Sequence, residues 1–419
     1  MTVGRFADRC FLFLQGPHGS FFPRLGAALA AAGQEVRRIN FNGGDRATWP
    51  AGDGYRGLER RWPAYVARYM ADHRVTDLVV FGDGRPAHAA AITAAVAAGV
   101  RVHVFEEGYI RPDWITLEAG GVNGHSTLPR DPDWYVREAE GLPPVPAHPP
   151  VPSFATARGW AAFFYYAEVV LQYWRFPFHR SHRDRDPVWE GITFLRRIRR
   201  RRHDDTRFVP ETARAFDRPF FLFPLQLNSD YQIRVHSPFG TMHRAIDVVL
   251  ESFARAAPTG VALVVKEHPL DSGINDWRTV VTARAAALGI AGRVTFVDGG
   301  DLPEMVAASR GMVVVNSTSG TLALAAGKPV KALGDPVYDM PGLTDPQPLD
   351  GFWSAPKTPE PGVYKAFSRV LADRCLIHGA FLSNVGIDLL VAESVQRLTA
   401  VGPSGLARSI VVTREEVTP

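Results

Sequence analysis

Short apolar runs alternate along the chain with stretches of helical spacing. Residues 220–269 show the pattern most clearly, because two strand-like runs, in PFFLFPLQLNSD and VALVVKEHP, flank a segment with apolar side chains three or four positions apart. Those side chains are Met242, Ile246, Val249, Leu250 and Phe253. This spacing predicts a helix with one buried face, and therefore a strand–helix–strand unit. Polar residues follow each strand, at the edge where ligands bind in open α/β sheets.

The first half of the chain repeats this alternation. The runs CFLFLQG, VRRINF, DLVVF and VRVHVF predict strands, and helices are expected over residues 23–32 and 88–98. Strands that alternate with helices predict a parallel sheet of the Rossmann type. The glycine pattern G-x-G-x-x-G is missing from this half, which weakens any dinucleotide-binding interpretation.

Composition adds limits to this picture. The 419 residues are 46% hydrophobic and 21% charged, as in globular proteins with two domains. A net charge of +4 is too small to indicate nucleic acid, and we expect no nucleic-acid partner. Cys10 and Cys375 are too few for a metal cluster and fit a reducing cytoplasm. No apolar run is long enough for a signal peptide or a membrane span, so any membrane contact is expected to be peripheral.

A proline-rich segment, residues 141–154, marks the clearest boundary. We predict an N-terminal domain over residues 1–150, an inter-domain helical segment over 151–207, a C-terminal domain over 208–400 and a tail over 401–419. The inter-domain segment combines aromatic side chains with a basic run at residues 196–203. Such a surface suits an anionic bilayer. The alternative is a pair of helices whose aromatic side chains pack on the core.

Two carboxylates, Glu106 and Glu107, follow the last strand of the N-terminal half, and Gly108 comes next. Successive strand residues point to opposite faces, so at most one glutamate is expected to face a cleft. A partly desolvated glutamate can act as a general acid or base; the alternative is a solvated acidic turn. Gly108 lets the backbone turn sharply or approach a ligand. Asn123 and His125 lie in a polar segment that could hydrogen-bond to a polyhydroxylated ligand or form a simple surface loop.

Polar side chains also follow three strands of the C-terminal half. In chain order they are Gln226 and Asp230, then Lys266, His268 and Pro269, then Asn316, Ser317, Thr318 and Ser319. The last group opens a helix, where hydroxyls and backbone N–H groups can bind phosphate or serve only as an N-cap. A histidine before a proline can also do no more than shape a turn. Because all three groups end strands of one domain, we expect them to converge on one crevice.

Two α/β domains that face each other across a cleft predict a GT-B-like glycosyltransferase. The C-terminal domain would hold the nucleotide phosphate and the N-terminal domain the acceptor. A D-x-D pair that could hold a metal on a diphosphate is missing from any suitable place, since DRD at residues 184–186 lies in the basic segment. We therefore expect no metal and no cofactor at the donor site, and a donor with one phosphate, such as a CMP-sugar.

Several long motifs carry a family resemblance. FLQGPHGSFFPRLGAAL, VFEEGYIRPDWITLEAGGVNGHSTLP, PLQLNSDYQIRVHSPF, KEHP and VNSTSGTLALAAGKPV occur in this order. Over about residues 11–398 the chain resembles the KpsS (LipB-type) capsule polysaccharide proteins. The resemblance implies a bacterial retaining β-Kdo transferase that uses CMP-Kdo and starts the poly-Kdo linker on a phosphatidylglycerol lipid. It also implies a place on the cytoplasmic face of the inner membrane, with a KpsC-type transferase and a capsule ABC exporter as partners.

The resemblance further implies roles for single residues. His268-Pro269 resembles the motif that binds the CMP phosphate in bacterial CMP-sugar transferases, and the turn from Ser317 to Ser319 resembles their second phosphate-binding element. Glu106-Glu107-Gly108 resembles their acidic-acidic-glycine motif, in which the second acid is the acid/base; sialyltransferase relatives often have aspartate there. Gln226 and Asp230 match the Q-x-x-x-D pattern of retaining β-Kdo transferases, in which the aspartate is the nucleophile. Lys266 would help to neutralise the leaving phosphate.

Two other functions stay open at this point. The same phosphate-binding residues would suit another CMP-sugar transferase, such as one for sialic acid. A non-catalytic protein of capsule export or assembly is the alternative from another class.

Overall fold

In the computed structural model, residues 9–151, 155–180, 217–234, 236–271 and 273–400 are described. Within these ranges the chain forms two α/β units, each built on its own sheet. We call them the first unit and the second unit. The basic run at residues 196–203, the DRD sequence at 184–186 and the predicted tail at 401–419 lie outside the described residues.

The first unit is built on a sheet with the strand order β12-β6-β5-β4-β1-β2-β3. The strands are β1 (Cys10–Phe13), β2 (Glu35–Asn40), β3 (Asp53–Gly54), β4 (Asp77–Phe81), β5 (Arg101–Glu107), β6 (Trp114–Ala119) and β12 (Leu376–His378). Strands β1 to β5 run parallel, whereas β6 is antiparallel to β5 and β12 is antiparallel to β6. The parallel sheet expected for the N-terminal half is therefore present, with an antiparallel extension at one edge.

Six α-helices lie in the described residues before β7. They are α1 (Phe21–Ala31), α2 (Gly43–Thr48), α3 (Trp62–Asp72), α4 (Pro86–Ala97), α5 (Pro132–Ala139) and α6 (Ala155–Leu171). The first helix buries Phe21, Phe22, Leu25 and Leu29 against the sheet. The predicted helices over 23–32 and 88–98 correspond to α1 and α4.

The second unit has a parallel sheet with the strand order β11-β10-β7-β8-β9. Its strands are β7 (Phe220–Pro224), β8 (Ala262–Lys266), β9 (Val294–Val297), β10 (Gly311–Val314) and β11 (Val330–Ala332). The helices after β7 are α7 (Tyr231–Arg234), α8 (Met242–Ala256), α9 (Trp277–Ala287), α10 (Leu302–Ala308), α11 (Ser319–Ala325), α12 (Leu349–Phe352), α13 (Pro361–Arg374) and α14 (Asn384–Thr399). All five apolar residues that predicted α8 are buried, so the predicted β7–α8–β8 unit is confirmed.

The end of the chain corrects one predicted boundary. Strand β12 pairs with β6, and the backbone N–H of Leu117 donates to the carbonyl of Cys375 at 2.7 Å. Helix α14 packs Ile387 and Leu390 into the same apolar core as α1. Residues 376–399 therefore belong to the first unit and not to the predicted C-terminal domain over 208–400. The physical reason is that β6 has a free edge and α1 an apolar face, and this segment covers both.

The polar segment after Gly108 is also more ordered than a surface loop. Trp114–Ala119 forms β6, whose Ile115 and Leu117 are buried in the core of the first unit. Asn123 and His125 begin and end a short 3-10 helix. The loop alternative is therefore wrong for the part of this segment that forms β6.

Helix α6 presents two different faces. Tyr165 is directed into the first unit, whereas Trp160, Phe163 and Phe164 are each more than 60% exposed. Over the described part of the chain, every helix is too short or too polar to cross a bilayer.

Candidate functional site

A cleft of about 550 Å³ lies between the two units. The first unit lines it with Gln15, Asp83, Arg85, Glu106 and Glu107, and the second unit with Asn228, Asp230, Tyr231, His236 and Asp271. Most of these residues follow the carboxyl ends of parallel strands, as the topology requires. The predicted α/β, GT-B-like arrangement of two Rossmann-like domains across a cleft is confirmed by these two sheets and the cleft between them.

Direct contacts join the units beside the cleft. Thr321 at the start of α11 donates its hydroxyl to the carbonyl oxygen of Tyr109 at 2.8 Å. Arg130 forms an ion pair with Asp335. A Cβ atom added to Gly84 would lie 3.0 Å from the Cβ of Tyr231, so the backbone of one unit lies almost against a side chain of the other. The cleft is therefore closed on one side by packed protein.

The two glutamates at the end of β5 both line the cleft. The expectation that at most one of them would do so is wrong, because a side chain on either face can reach over the end of a strand. Both are half-buried, unlike a solvated acidic turn. Glu106 accepts a hydrogen bond from the backbone N–H of Glu107 at 2.9 Å. Burial raises the pKa of Glu106 to about 7, and the negative charges of Glu107 and Asp230 add to the rise.

The electrostatic effect of Asp230 on the pKa of Glu106 links predicted site residues from both units. Asp230 ends the loop after β7 in the second unit, yet it acts electrostatically on Glu106 of the first. Asp230, Glu106 and Glu107 are thus the three predicted site residues that line the cleft. Two or three carboxylates around one cavity can supply a nucleophile, a general acid and a general base.

A polar network that sequence reasoning missed lies beside these carboxylates. Arg85 donates to the side-chain oxygen of Gln15 at 2.7 Å, and Gln15 donates to Asp45 at 3.2 Å. The hydroxyl of Tyr165, from α6, donates to the same Asp45 carboxylate at 3.0 Å. Arg85 brings a cation to the cleft, where it can attract an anionic substrate.

Gln226 and Asn316 lie behind the cleft and not on its surface. The side-chain oxygen of Gln226 accepts from the backbone N–H of Asn316 at 2.9 Å. Asn316 in turn donates to the carbonyl of His236 at 2.6 Å and accepts from the backbone N–H of Asp335 at 2.5 Å. Both side chains are buried. These contacts tie the ends of β7 and β10 together, which is a positioning role.

The serine-rich turn forms its own hydrogen bonds. Ser319 donates to the hydroxyl oxygen of Ser317 both from its backbone N–H, at 3.1 Å, and from its hydroxyl, at 2.7 Å. Thr318, which precedes α11, makes no side-chain cap. The hydroxyl of Tyr338 donates to the carbonyl oxygen of Ser317 and so stabilises the turn. The turn is half-buried and does not line the cleft.

Lys266 and His268 lie at the end of β8. Lys266 is the last residue of the strand and is buried, while His268 is half-buried and Pro269 is exposed. The Nδ1 atom of His268 accepts from the backbone N–H of Leu270 at 3.1 Å, which leaves Nε2 as the donor of the neutral ring. The chain reaches the cleft two residues later, at Leu270. This stretch therefore lies at the border of the cleft.

The remaining predicted residues are Gly108, Asn123 and His125, which lie in segments on either side of β6. A Cβ atom at Gly108 would lie 2.1 Å from the carbonyl oxygen of Trp114, so only glycine fits where the chain turns into β6. The hydroxyl of Tyr109 accepts from the backbone N–H of Asn123 at 2.7 Å and donates to Glu118. Burial raises the pKa of Glu118 to about 7. His125 reaches Asp83 at the cleft, with 3.1 Å between Nδ1 and Oδ2.

Comparison with known proteins identifies the family of this chain. Residues 76–382 match the family model described as capsule polysaccharide biosynthesis protein. The chain belongs to this family. It is 32% identical to the capsule polysaccharide export protein KpsS of Escherichia coli over 376 residues, which are 88% of this chain and 96% of that protein.

Other members of the capsule polysaccharide biosynthesis protein family are equally similar. The capsule polysaccharide modification protein LipB of Neisseria meningitidis serogroup A is 33% identical over 386 residues, 89% of this chain and 92% of LipB. The resemblance to KpsS and LipB is thereby confirmed. Among solved structures, KpsC of Thermosulfurimonas dismutans, a beta Kdo 2,7 transferase, matches with a TM-score of 0.44 and 15% identity. That match covers 93% of this chain and 99% of KpsC.

Proposed function

We propose that this member of the capsule family is a glycosyltransferase that moves Kdo from CMP-Kdo to a phosphatidylglycerol-type lipid with retention of configuration, starting a poly-Kdo linker. The observation that carries the proposal is the meeting of Asp230 with Glu106 and Glu107 in one cleft between two α/β units. A nucleophile from one unit and a base from the other suit a reaction in which donor and acceptor come from opposite sides.

The chemistry is a double displacement. The Asp230 carboxylate attacks the anomeric carbon of Kdo as the bond to the CMP phosphate breaks, and the electron pair leaves with the phosphate. Glu107 takes the proton of the acceptor hydroxyl, which then attacks the glycosyl–Asp230 adduct and releases the carboxylate. Two inversions retain the configuration. Glu106 is a second candidate for the base, because its raised pKa lies near neutral pH.

The residues at the borders of the cleft supply the charge that the leaving group needs. Lys266 ends β8 and His268 follows it, while the turn from Ser317 to Ser319 follows β10, which is separated from β8 by β7 in the sheet. We assign to them the CMP phosphate, which two cationic or donor side chains and hydroxyl groups can neutralise without a metal ion. Pro269 fixes the backbone after His268.

One experiment tests the proposal. The purified chain is incubated with CMP-Kdo and a fluorescent phosphatidylglycerol analogue, and the lipid is examined by mass spectrometry. We expect the wild type to add Kdo, and Asp230→Asn to form no product while CMP still binds, because the substitution removes the nucleophile and leaves the residues of the phosphate site unchanged. Asp373→Asn, the same change at an exposed position that does not line the cleft, is the matched control.

The other outcomes separate the alternatives. Product with CMP-sialate but not with CMP-Kdo would indicate a sialic acid transferase. No release of CMP from either donor would indicate a non-catalytic export or assembly protein, a role that matches the name of the E. coli relative, the capsule polysaccharide export protein KpsS. Full activity of Asp230→Asn would remove Asp230 from the mechanism.

We further propose that the protein works at the inner face of the bacterial inner membrane, beside a KpsC-type transferase and the capsule exporter. Helix α6 supports this, because Trp160, Phe163 and Phe164 form one exposed aromatic cluster. Aromatic side chains of this kind insert into the interface of a bilayer. The alternative of a fully packed helical pair does not account for their exposure.

A further inference from the structure

Three side chains that the proposed mechanism does not use form a cluster at the cleft. Asp83 follows β4 and His125 ends the short 3-10 helix after β6, both in the first unit, whereas His236 lies between α7 and α8 in the second. One ligand atom from each of them lies within 4.8 Å of the other two. Asp83 and His236 also line the cleft.

The cluster is arranged around the carboxylate of Asp83. Its Oδ2 atom lies 3.1 Å from Nδ1 of His125, and its Oδ1 atom lies 3.9 Å from Nε2 of His236. The backbone N–H of Val122 donates to Oδ2 at 2.9 Å and fixes the carboxylate from outside the cluster. The two imidazole rings meet edge to face, with 4.6 Å between their centroids.

An independent observation concerns His236. Its side chain is only 4% exposed, and its Nε2 atom has no hydrogen-bond partner within the described ranges. Leaving a buried polar atom unsatisfied costs roughly 1–3 kcal/mol, so native proteins rarely retain one without a ligand. The backbone also makes room for this ring, because a Cβ atom at Gly124 would lie 2.6 Å from Nδ1 of His236.

We propose that Asp83, His125 and His236 bind a divalent first-row transition metal ion of the zinc type, which bridges the two units. Two imidazoles and one carboxylate are the donor set of such ions, and three protein ligands leave a further position open. Bonds of about 2.0–2.1 Å at tetrahedral angles place ligand atoms about 3.4 Å apart, between the two distances of this cluster. The ion would take the electron pair of His236 Nε2, for which the described residues supply no hydrogen-bond partner.

The position of the cluster indicates what the open site does. It faces the cleft that Asp230 and Glu107 line, so an anionic oxygen of a bound substrate can complete the coordination. This ion is separate from the leaving phosphate, where we expect no metal. Because His236 belongs to one unit and the other two ligands to the other, the ion also holds the units together.

The test measures metal binding and not transfer, so its outcome is independent of the proposed function. The full chain is purified without chelators, dialysed against zinc-free buffer and examined by elemental mass spectrometry, and zinc affinity is measured by competition with a chromophoric chelator. We expect about one zinc per chain. His125→Ala, whose side chain is 56% exposed and so is removable without a core cavity, should weaken zinc affinity by more than the about 10–100-fold typical of indirect effects.

The matched control is His148→Ala, which removes an exposed imidazole from a stacked histidine pair elsewhere. It should leave zinc affinity unchanged. Cobalt is the second probe, since Co²⁺ in a site with these ligands absorbs visible light and the band should disappear in Asp83→Asn. Substoichiometric zinc in the wild type, or zinc that stays bound with the same affinity in His125→Ala, would overturn the proposal.

Discussion

Glu106 lies half-buried at the end of β5, where its carboxyl group resists ionisation. Its pKa in the folded protein is about 7, above the value of 4.5 for a free side chain. The folded state therefore binds more protons than the unfolded state between these values, and stability falls as the pH rises from about 4.5 to 7. Below pH 4.5 the Glu106 carboxyl group is protonated in both the folded and the unfolded state, and above pH 7 the stability linked to its protonation is lost completely.

We expect Glu106→Gln to remove part of this fall, because the amide cannot ionise and its oxygen can still accept from the backbone N–H of Glu107. Urea unfolding at pH 5 and pH 8 measures the effect. The variant should gain stability over the wild type at pH 8 and little at pH 5. The remaining loss of stability with rising pH comes from Glu118, since its pKa is also about 7. An equal gain at both pH values would contradict the assignment, and Glu59→Gln, at an exposed position, is the control.

The sequence predicted the acidic residues Asp230, Glu106 and Glu107 of the cleft, but it did not single out the cleft residues Asp83, Arg85 and His236. Asp230, Glu106 and Glu107 were found because each lies at or just after the end of a strand. Asp83 and Arg85 meet the same criterion, because they follow the end of β4. They were passed over because the sequence GDGRP predicts an ordinary glycine turn. His236 could not have been found this way. Its significance comes from Asp83, which is remote in the chain and belongs to the other unit.

At the scale of elements, α6 and α2 approach each other unusually closely. A Cβ atom at Gly43 would lie 2.1 Å from the carbonyl oxygen of Glu168, and one at Gly44 would lie 2.7 Å from the ring and the carbonyl oxygen of Tyr165. Only glycine permits this contact between helix backbones. The contact holds Tyr165 at Asp45 beside the cleft, so α6 is bound to the first unit by two glycines.

Gly43→Ala should therefore displace α6 and destabilise the protein by about 1–3 kcal/mol, the usual range for overpacking. Thermal or urea unfolding measures the loss, and limited proteolysis shows whether α6 is released. The matched control is Gly159→Ala on α6 itself, where an added Cβ atom meets nothing within 4 Å. That change should be neutral or stabilising by up to about 1 kcal/mol, since alanine favours helix. Equal stability of Gly43→Ala and the wild type would show that the helices can separate without cost.

The long, periodic elements were the predictable ones. Helix α8 was evident from five apolar residues at helical spacing, and all five are buried. Strands β6 and β12 were missed for a different reason. Strand β12 has only three residues, and the two strands pair only because residues 376–378 return to an edge formed by residues 114–116. A pattern within one segment carries no information about a partner more than two hundred residues away.

At the scale of the whole molecule, the exposed aromatic cluster of α6 determines how the protein would meet a bilayer. Replacing Trp160, Phe163 and Phe164 by serine should weaken binding to vesicles that contain phosphatidylglycerol by at least about tenfold, since each buried aromatic side chain contributes about 1.5–3 kcal/mol. Sedimentation with vesicles measures the change. Val385→Ser and Leu389→Ser, on the exposed face of α14, are the control. Unchanged binding of the triple variant would favour a different role for this surface.

The return of β12 and α14 to the first sheet has a consequence for synthesis. The ribosome produces β1 to β6 first, yet the strand that covers the edge of β6 is made only after all five strands of the second unit. Until then β6 presents unpaired backbone groups, and the apolar face of α1 lacks its cover. The second unit, in contrast, has its whole sheet in one continuous stretch of chain. The first unit is therefore translated first, yet its sheet can be completed only after every strand of the second unit has been made.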